Sequence, residues 1–393
     1  VIARPLDARS DRAVRDALVR HGWDPALAAD AAAGLTRTAV HLEGLGADAL
    51  EALVAYAGGI GVEVVTGDDW AIVAGSASRL GALARPWMVP PALSEVAAAV
   101  GHALPAPPPS QWVVRGGVVA LDPPVITGIL NVTPDSFSDG GRHATVESAV
   151  ARAEELLAGG ARVLDLGGES TRPGREALVS VEEELARILP VLGALLRRFP
   201  DAVISVDTMK SEVARAALGE GAHAINDVTG LRHDPRLADV VAAEGAGLVL
   251  MHSRGPALEI ASYVGAEYGE VAGEVISELS AVLALAVERG VSRERIVLDP
   301  GFGFSKRPEQ NILLADQLQA LAALGQPVMV GPSRKRFLGA VTGAAPEDRD
   351  AVTATCCALC HERGARLFRV HDAARTREAL ALVRAFGGTL SDS

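Results

Sequence analysis

The chain has 393 residues, which exceeds the usual single-domain size and leaves room for a large domain plus a smaller one. A hydrophobic share of 49% with only 4% aromatics describes a core of Ala, Val and Leu, suited to helices packed around buried parallel strands. The net charge of −12 argues against a nucleic-acid or anionic-membrane partner, and no apolar run has membrane-spanning length. With no basic-then-apolar leader pattern at the start, the expectation is a soluble, cytoplasmic protein.

Residues 1–104 read as a small α/β domain. Helical patterning at Arg12–Arg20 and Pro25–Ala33 leads to an apolar run at Thr38–Leu42. A helix at Ala47–Gly58, strands at Val62–Val65 and Trp70–Ala74, and helices at Ser78–Ala84 and Leu93–Ala99 follow. No catalytic cluster stands out, and Asp68-Asp69 reads as a turn rather than a metal site. Residues 105–124 combine a Pro-rich linker, Pro105–Ser110, with a hairpin in which Trp112–Arg115 and Val118–Leu121 flank Gly116-Gly117. Such a hairpin is expected to plug the bottom of a barrel.

From Val125 to the end, short apolar runs alternate with helical periodicity, as repeated βα units do. Eight runs are present: Val125–Leu130, Val163–Leu166, Val203–Val206, Ala222–Ile225, Gly247–Met251, Ile296–Leu298, Val328–Val330 and Leu367–Val370. That number closes a parallel (β/α)8 TIM barrel, over about the ~250 residues typical of one. An open doubly wound sheet is disfavoured because no glycine fingerprint opens the first helix.

Polar residues cluster where the runs end: Asn131, Asp207, Asn226, His252, Asp299 and Ser333, with Asp165 and Arg369 inside two of the runs. Any one of these could cap the following helix. Capping does not account for all of them, nor for the cationic groups Ser333-Arg-Lys-Arg336 and Arg369-Val-His371 at adjacent late strands. In a parallel barrel every strand's C-terminal end lies on one face, and the last two loops there frequently bind phosphate. The implied ligand is a flat polar heterocycle with a phosphate-bearing group. The three cysteines, Cys356, Cys357 and Cys360, lack a partner pair for zinc and read as small buried residues of one helix.

These residues carry a family resemblance. Ile129-Leu-Asn-Val-Thr-Pro-Asp-Ser-Phe-Ser-Asp-Gly-Gly141 and Asp165-Leu-Gly-Gly-Glu-Ser-Thr-Arg-Pro-Gly174 resemble the first two signatures of the dihydropteroate synthases. Ser205–Thr208, Ile225–Asp227, Leu298–Phe304, Ser333–Lys335 and Arg369–Asp372 follow in the family's order. The resemblance implies condensation of a dihydropterin diphosphate with p-aminobenzoate, with Mg2+ as cofactor and a homodimer as the assembly. It further implies that Asp207, Asn226 and Asp299 bind the pterin edge and that Lys335 reaches its carbonyl and ring nitrogen. Asn131, Thr171, Arg369 and His371 would hold the diphosphate, with Asn131 also on the metal and Arg172 a further substrate contact. Ser333 and Arg334 would help receive p-aminobenzoate under Phe137 and Pro173, and Phe304 would pack beside the substrates. Lys335, Arg369 and His371 are the residues expected to be catalytic.

Met209, Ser253, Pro332 and Arg336 depart from the family pattern beside the proposed ligands. A pterin-dependent methyltransferase shares the barrel and the Asp/Asn recognition, but it has no diphosphate for Ser-Thr-Arg-Pro and Arg-Val-His to hold. A non-catalytic pterin-binding protein would show degenerate ligands, and none is missing here.

Overall fold

The computed structural model describes residues 15, 18–19, 22, 24–35, 37–104, 109–132, 142–169 and 177–386. The chain divides into two compact units, Val1–Ala106 and Pro107–Ser393. Among the described residues, no helix is long and apolar enough to cross a membrane.

The first unit contains an antiparallel sheet of β1 (Thr38–Glu43), β2 (Glu63–Thr66) and β3 (Trp70–Gly75), in the order β1-β3-β2. Strict alternation sends Val40, Leu42, Ala71 and Val73 to one face. There they pack with Leu50, Leu53 and Ala57 of helix α1 (Ala47–Gly59), with Leu80 and Leu83, and with Leu93, Val96 and Val100. Asp68 and Asp69 form the bend between β2 and β3. Of the helix expected over Arg12–Arg20, most lies outside the described residues.

The second unit opens with the hairpin β4 (Gln111–Val114) and β5 (Gly117–Ala120), turning at Gly116, which takes φ +74°. Eight parallel strands then follow: β6 (Val125–Asn131), β7 (Ala161–Gly167), β8 (Val203–Asp207), β9 (Ala224–Asp227), β10 (Gly247–Met251), β11 (Ile296–Asp299), β12 (Met329–Val330) and β13 (Leu367–Val370). Their order is β11-β10-β9-β8-β7-β6-β13-β12, and a parallel bridge from Leu298 to Val328 closes the ring. Helices α2 (Arg142–Ala158), α3 (Val181–Arg198), α4 (Ser211–Glu220), α5 (Arg236–Glu244), α6 (Val271–Glu288), α7 (Pro308–Asp316), α8 (Arg336–Thr342), α9 (Asp350–Glu362) and α10 (Ala373–Phe386) alternate with the strands, two of them between β12 and β13. The apolar sides of strands and helices form one large core that includes Leu164, Ile204, Leu248, Leu298 and Phe368.

At the strands' N-terminal ends a different cluster fills the ring. Trp112, Val114, Val119 and Leu121 pack on Val125, Val163, Ala224, Val249, Val297, Met329 and Leu367. Trp112 is fully buried, and its indole N–H donates to the Arg295 carbonyl at 2.8 Å. The strand residue beneath it is Gly247, where a Cβ would stand 2.8 Å from the Trp112 ring, so the glycine makes room for the plug. Cys357 and Cys360 are buried in α9 and all three cysteines are free thiols, in keeping with a packing role.

Trp112→Ala should remove a large buried ring and orphan one carbonyl. Urea denaturation should register a loss of about 3–5 kcal/mol. Catalysis by the folded fraction should persist, because the plug lies at the end of the barrel opposite the strand C-termini.

Candidate active site

The centre of the strand-end face is Asp165, a carboxylate in the buried stretch Val163–Gly167 of β7 and only 1% exposed. A charge there must be paired. Asp165 accepts from the Ser205 hydroxyl, from Asn226 Nδ2 at 3.0 Å and from Arg369 Nε at 2.6 Å. Arg369 then bridges to Asp207, its Nη2 donating at 2.7 Å. Side chains from β7, β8, β9 and β13 are thereby locked across the barrel mouth.

Around this centre lie two cavities. The outer one has a volume of about 580 Å³, and its lining includes Asn131, Glu169, Ser333, Arg334, Arg336 and His371. The inner one, about 60 Å³, is lined by Asn226, Asp299, Val228, Met251, Phe302 and Phe304. Asp207, Gly331, Lys335 and Arg369 line both, so the inner pocket continues the outer one.

Burial sets the electrostatics. It pushes the Asp207 carboxyl up to about 7 against the pull of the Arg369 guanidinium. Asp299 is likewise pushed up to about 6, although its Oδ1 accepts from the Gly301 N–H at 2.7 Å. Lys335 is pushed down to about 7, again mainly by burial and secondly by Arg369. Its ammonium lies 3.6 Å from the Phe304 ring centroid, a cation–π contact. Gly303 lets the lysine stem pass: its φ is +76°, and a Cβ would come within 2.7 Å of Lys335 Cδ.

Counting His371 with a cationic cluster is corrected by its surroundings. Burial, followed by Arg334 and Arg369, lowers its pKa to about 3, so the ring is neutral. The Ser333 hydroxyl accepts from the His371 backbone N–H at 3.1 Å and shares a hydrogen bond with Nδ1 at 2.8 Å. Nδ1 is thus engaged by Ser333, and Nε2 is the ring nitrogen left to meet a ligand. Arg334 is also committed: Asp350 holds its guanidinium in two bonds of 2.8 and 2.7 Å. Its left-handed backbone, φ +56°, is pinned by its N–H on Thr353 Oγ1 and by Arg349 on its carbonyl.

The structure therefore brings Asn131, Asp207, Asn226, Asp299, Phe304, Ser333, Arg334, Lys335, Arg369 and His371 onto one pair of connected cavities. Phe137, Thr171, Arg172 and Pro173 lie outside the described residues. Sequence reasoning left Asp165 out of the site, although a carboxylate between Leu164 and Leu166 in a buried run is itself a signal. It also left out Glu169, which lines the outer cavity and whose carboxylate holds Lys210 and the Val179 N–H.

Of the departures, Ser253 is fully partnered, donating to the Val228 carbonyl and accepting from Arg232. Arg336 donates to the Ala261 carbonyl and stacks on Tyr263. Met209 is buried. The Pro332 carbonyl accepts the Lys335 N–H at 3.1 Å.

The family model described as pterin binding enzyme matches residues 127–371. The dihydropteroate synthase of Bacillus subtilis is 41% identical over 248 residues, covering 63% of this chain and 83% of that one. That of Escherichia coli K12 is 40% identical over 271 residues, covering 69% and 94%. Among solved structures, Xanthomonas albilineans dihydropteroate synthase with 4-aminobenzoic acid superposes with a TM-score of 0.66 at 44% identity, covering 71% of this chain and 99% of its own. The same enzyme in complex with 7,8-dihydropteroate gives a TM-score of 0.63 at 42% identity, with the same coverage. Barrel, strand-end chemistry and relatives agree: this chain belongs to the dihydropteroate synthases of the pterin-binding enzyme family.

Proposed function

We propose that the two connected cavities divide the dihydropteroate synthase reaction between them, the inner one taking the pterin and the outer one p-aminobenzoate. The observation that carries this reading is the shared wall of Asp207, Lys335 and Arg369, where groups suited to the ring meet groups suited to a phosphate. Asp207 and Asp299 accept from the ring's amine and N–H, Asn226 reads both a donor and an acceptor, and Lys335 donates to the carbonyl and ring nitrogen. Arg369 uses its outward N–H groups, and His371 its Nε2, on the diphosphate, and Thr171 and Arg172 are further contacts implied by the family resemblance. Ser333 and Arg334 help receive p-aminobenzoate, with Phe137 and Pro173 as further contacts implied by the family resemblance, and Phe304 packs beside the substrates from the inner cavity.

The chemistry is displacement at the pterin methylene. Its C–O bond to diphosphate breaks, the C–N bond to the arylamine forms, and the amine's proton is lost to solvent. The conjugated ring stabilises positive charge at that carbon, so no protein nucleophile is required. Arg369 and His371 meet the negative charge that grows on the leaving group, in a site already organised for it.

The donor chemistry suits Mg2+. Asn131 offers one hard oxygen at the end of β6, and no cluster of three or more His, Cys, Asp or Glu forms a protein cage among the described residues. Such an ion is held by one or two protein oxygens together with substrate phosphates and water. Bound there beside Asn131, it would supply charge neutralisation for the diphosphate. The same reading makes the enzyme a cytoplasmic homodimer. Exposed Val341, Leu359, Leu382 and Phe386 on α8, α9 and α10 support that assembly.

The defining assay is formation of dihydropteroate from dihydropterin diphosphate, p-aminobenzoate and Mg2+. Asp207→Ala should lower kcat/KM for the pterin roughly 10²-fold, because the ring's donors lose their acceptor in a dry pocket. The KM for p-aminobenzoate should move little. Arg369→Ala should instead depress kcat by ~10²-fold, comparable with removing one oxyanion donor. Wild-type constants in both variants would sink the assignment.

Raised carboxyl pKa values also predict the pH dependence. Both groups must be ionised to accept, so kcat/KM for the pterin should fall as pH drops through about 7 and then about 6. Asp207→Asn should abolish the upper step and leave the lower one. An acid limb unchanged by that substitution counts against a carboxylate role for Asp207.

A further inference from the structure

Behind Phe304 lies a lysine that the reaction as described does not use. Lys306 is 1% exposed, and its ammonium makes no hydrogen bond to a carboxylate. Its three N–H groups meet three acceptors: His252 Nδ1 at 2.9 Å, the Gly301 carbonyl at 3.2 Å and the Phe304 carbonyl at 3.2 Å. Three donors and three acceptors match an ammonium, whereas a neutral amine would leave one acceptor bare. The balancing charge is one residue away, since His252 Nε2 lies 3.0 Å from Glu278 Oε2. Arg254 grips the same carboxylate and also Glu274. For His252 to accept from Lys306, it must be neutral and carry its proton on Nε2. Burial and the lysine's charge hold it so, lowering its pKa to about 4.

Two of the three acceptors are backbone atoms of the turn that follows β11. That turn places both Asp299, whose carboxylate accepts from Gly301, and Phe304, whose ring covers Lys335. It needs two left-handed glycines, Gly301 at φ +71° and Gly303 at φ +76°. Such a segment does not hold its shape by local preference alone. Its far end is fixed separately, by the Gly303 N–H on Asn311 Oδ1 at 2.7 Å.

We propose that Lys306 is a positioning residue of the synthase reaction: seated by His252 and Glu278, its ammonium holds the Gly301–Phe304 turn so that Asp299 and Phe304 meet the pterin and Lys335. This rests on the reading of the inner cavity as the pterin site. Other charged groups act on Lys306 as well: Asp299 and Glu278 favour its ammonium, while Arg254 and Lys335 oppose it. With burial the larger effect, its pKa falls to about 7, so the clamp weakens as pH rises past neutrality.

The test is a double-mutant cycle on dihydropteroate formation, with Tm recorded for every variant: wild type, Lys306→Met, Phe304→Leu and the double variant. Misplacing a binding group by about an ångström costs up to ~10²-fold. Lys306→Met should therefore lower kcat/KM for the pterin diphosphate by about 10- to 100-fold. In the Phe304→Leu background the same substitution should cost at least about threefold less than in the wild type, because the ring it positions is gone and only the displacement of Asp299 remains. Losses that multiply independently, or no loss in the single variant, overturn the proposal. If Lys306→Met does not fold, His252→Gln and His252→Leu replace it. Glutamine can accept from Lys306 and donate to Glu278, so it should retain kcat/KM within about threefold while leucine loses about tenfold. Equal activity in those two overturns the proposal. A wild-type chain that makes no dihydropteroate defeats the pterin-site reading instead, a separate outcome.

Discussion

The ion pair of Asp165 with Arg369 is the constraint on which the barrel mouth depends. A carboxylate within a buried strand is tolerable only if its charge is met and its lone pairs are filled. Asp165 achieves this by drawing in Ser205, Asn226 and Arg369 from three other strands. That fixes the rotamers of two ligand-facing side chains before any substrate arrives. It also sets the direction of Arg369, whose Nε and Nη2 are spent on carboxylates and whose remaining N–H groups are those proposed to meet the diphosphate. Preorganisation of this kind lets a polar site act without rearranging at the moment of reaction.

A second layer works on backbone rather than side chains. Lys306 ties two carbonyls of the β11 turn, Arg152 ties the His371 carbonyl, and Arg349 ties the Arg334 carbonyl. Each of these cations serves a segment that bears a ligand. The barrel supplies a common face, but the loops on it are shaped by long basic side chains, one of which, Arg349, itself lines the outer cavity.

Much of this was legible in the sequence, and for physical reasons. The apolar runs of the barrel were visible because buried parallel strands read as unbroken Val, Ile and Leu. Their limits shifted by one or two residues, at the start where alanine gives little signal, as at Ala161, and at the end where a polar residue continues the strand, as at Asn131, Asp207 and Asp299. The proposed ligands Asp207, Asn226 and Asp299 stood out as polar residues at apolar run ends, and Lys335 as part of a cationic group after β12. Protonation and commitment were not legible. That His371 is neutral and Arg334 engaged by Asp350 depends on groups far away in the chain, which motif order does not locate. Asp165 stood out as a carboxylate in an apolar run, but its pairing became visible only once β13, separated from β7 by β6, brought Arg369 to it.

The floor of the barrel has a bearing on where the chain can be divided. Its plug, Trp112 to Leu121, is contiguous in sequence with the linker rather than with the first strand, and the Leu121 N–H is held by the Ser110 carbonyl. A boundary drawn at the first barrel motif would strip seven strand-end side chains of their cover and leave a hydrophobic well open to water. One drawn after Pro109 keeps that seal intact. The catalytic part of this protein thus starts well ahead of its first recognisable signature.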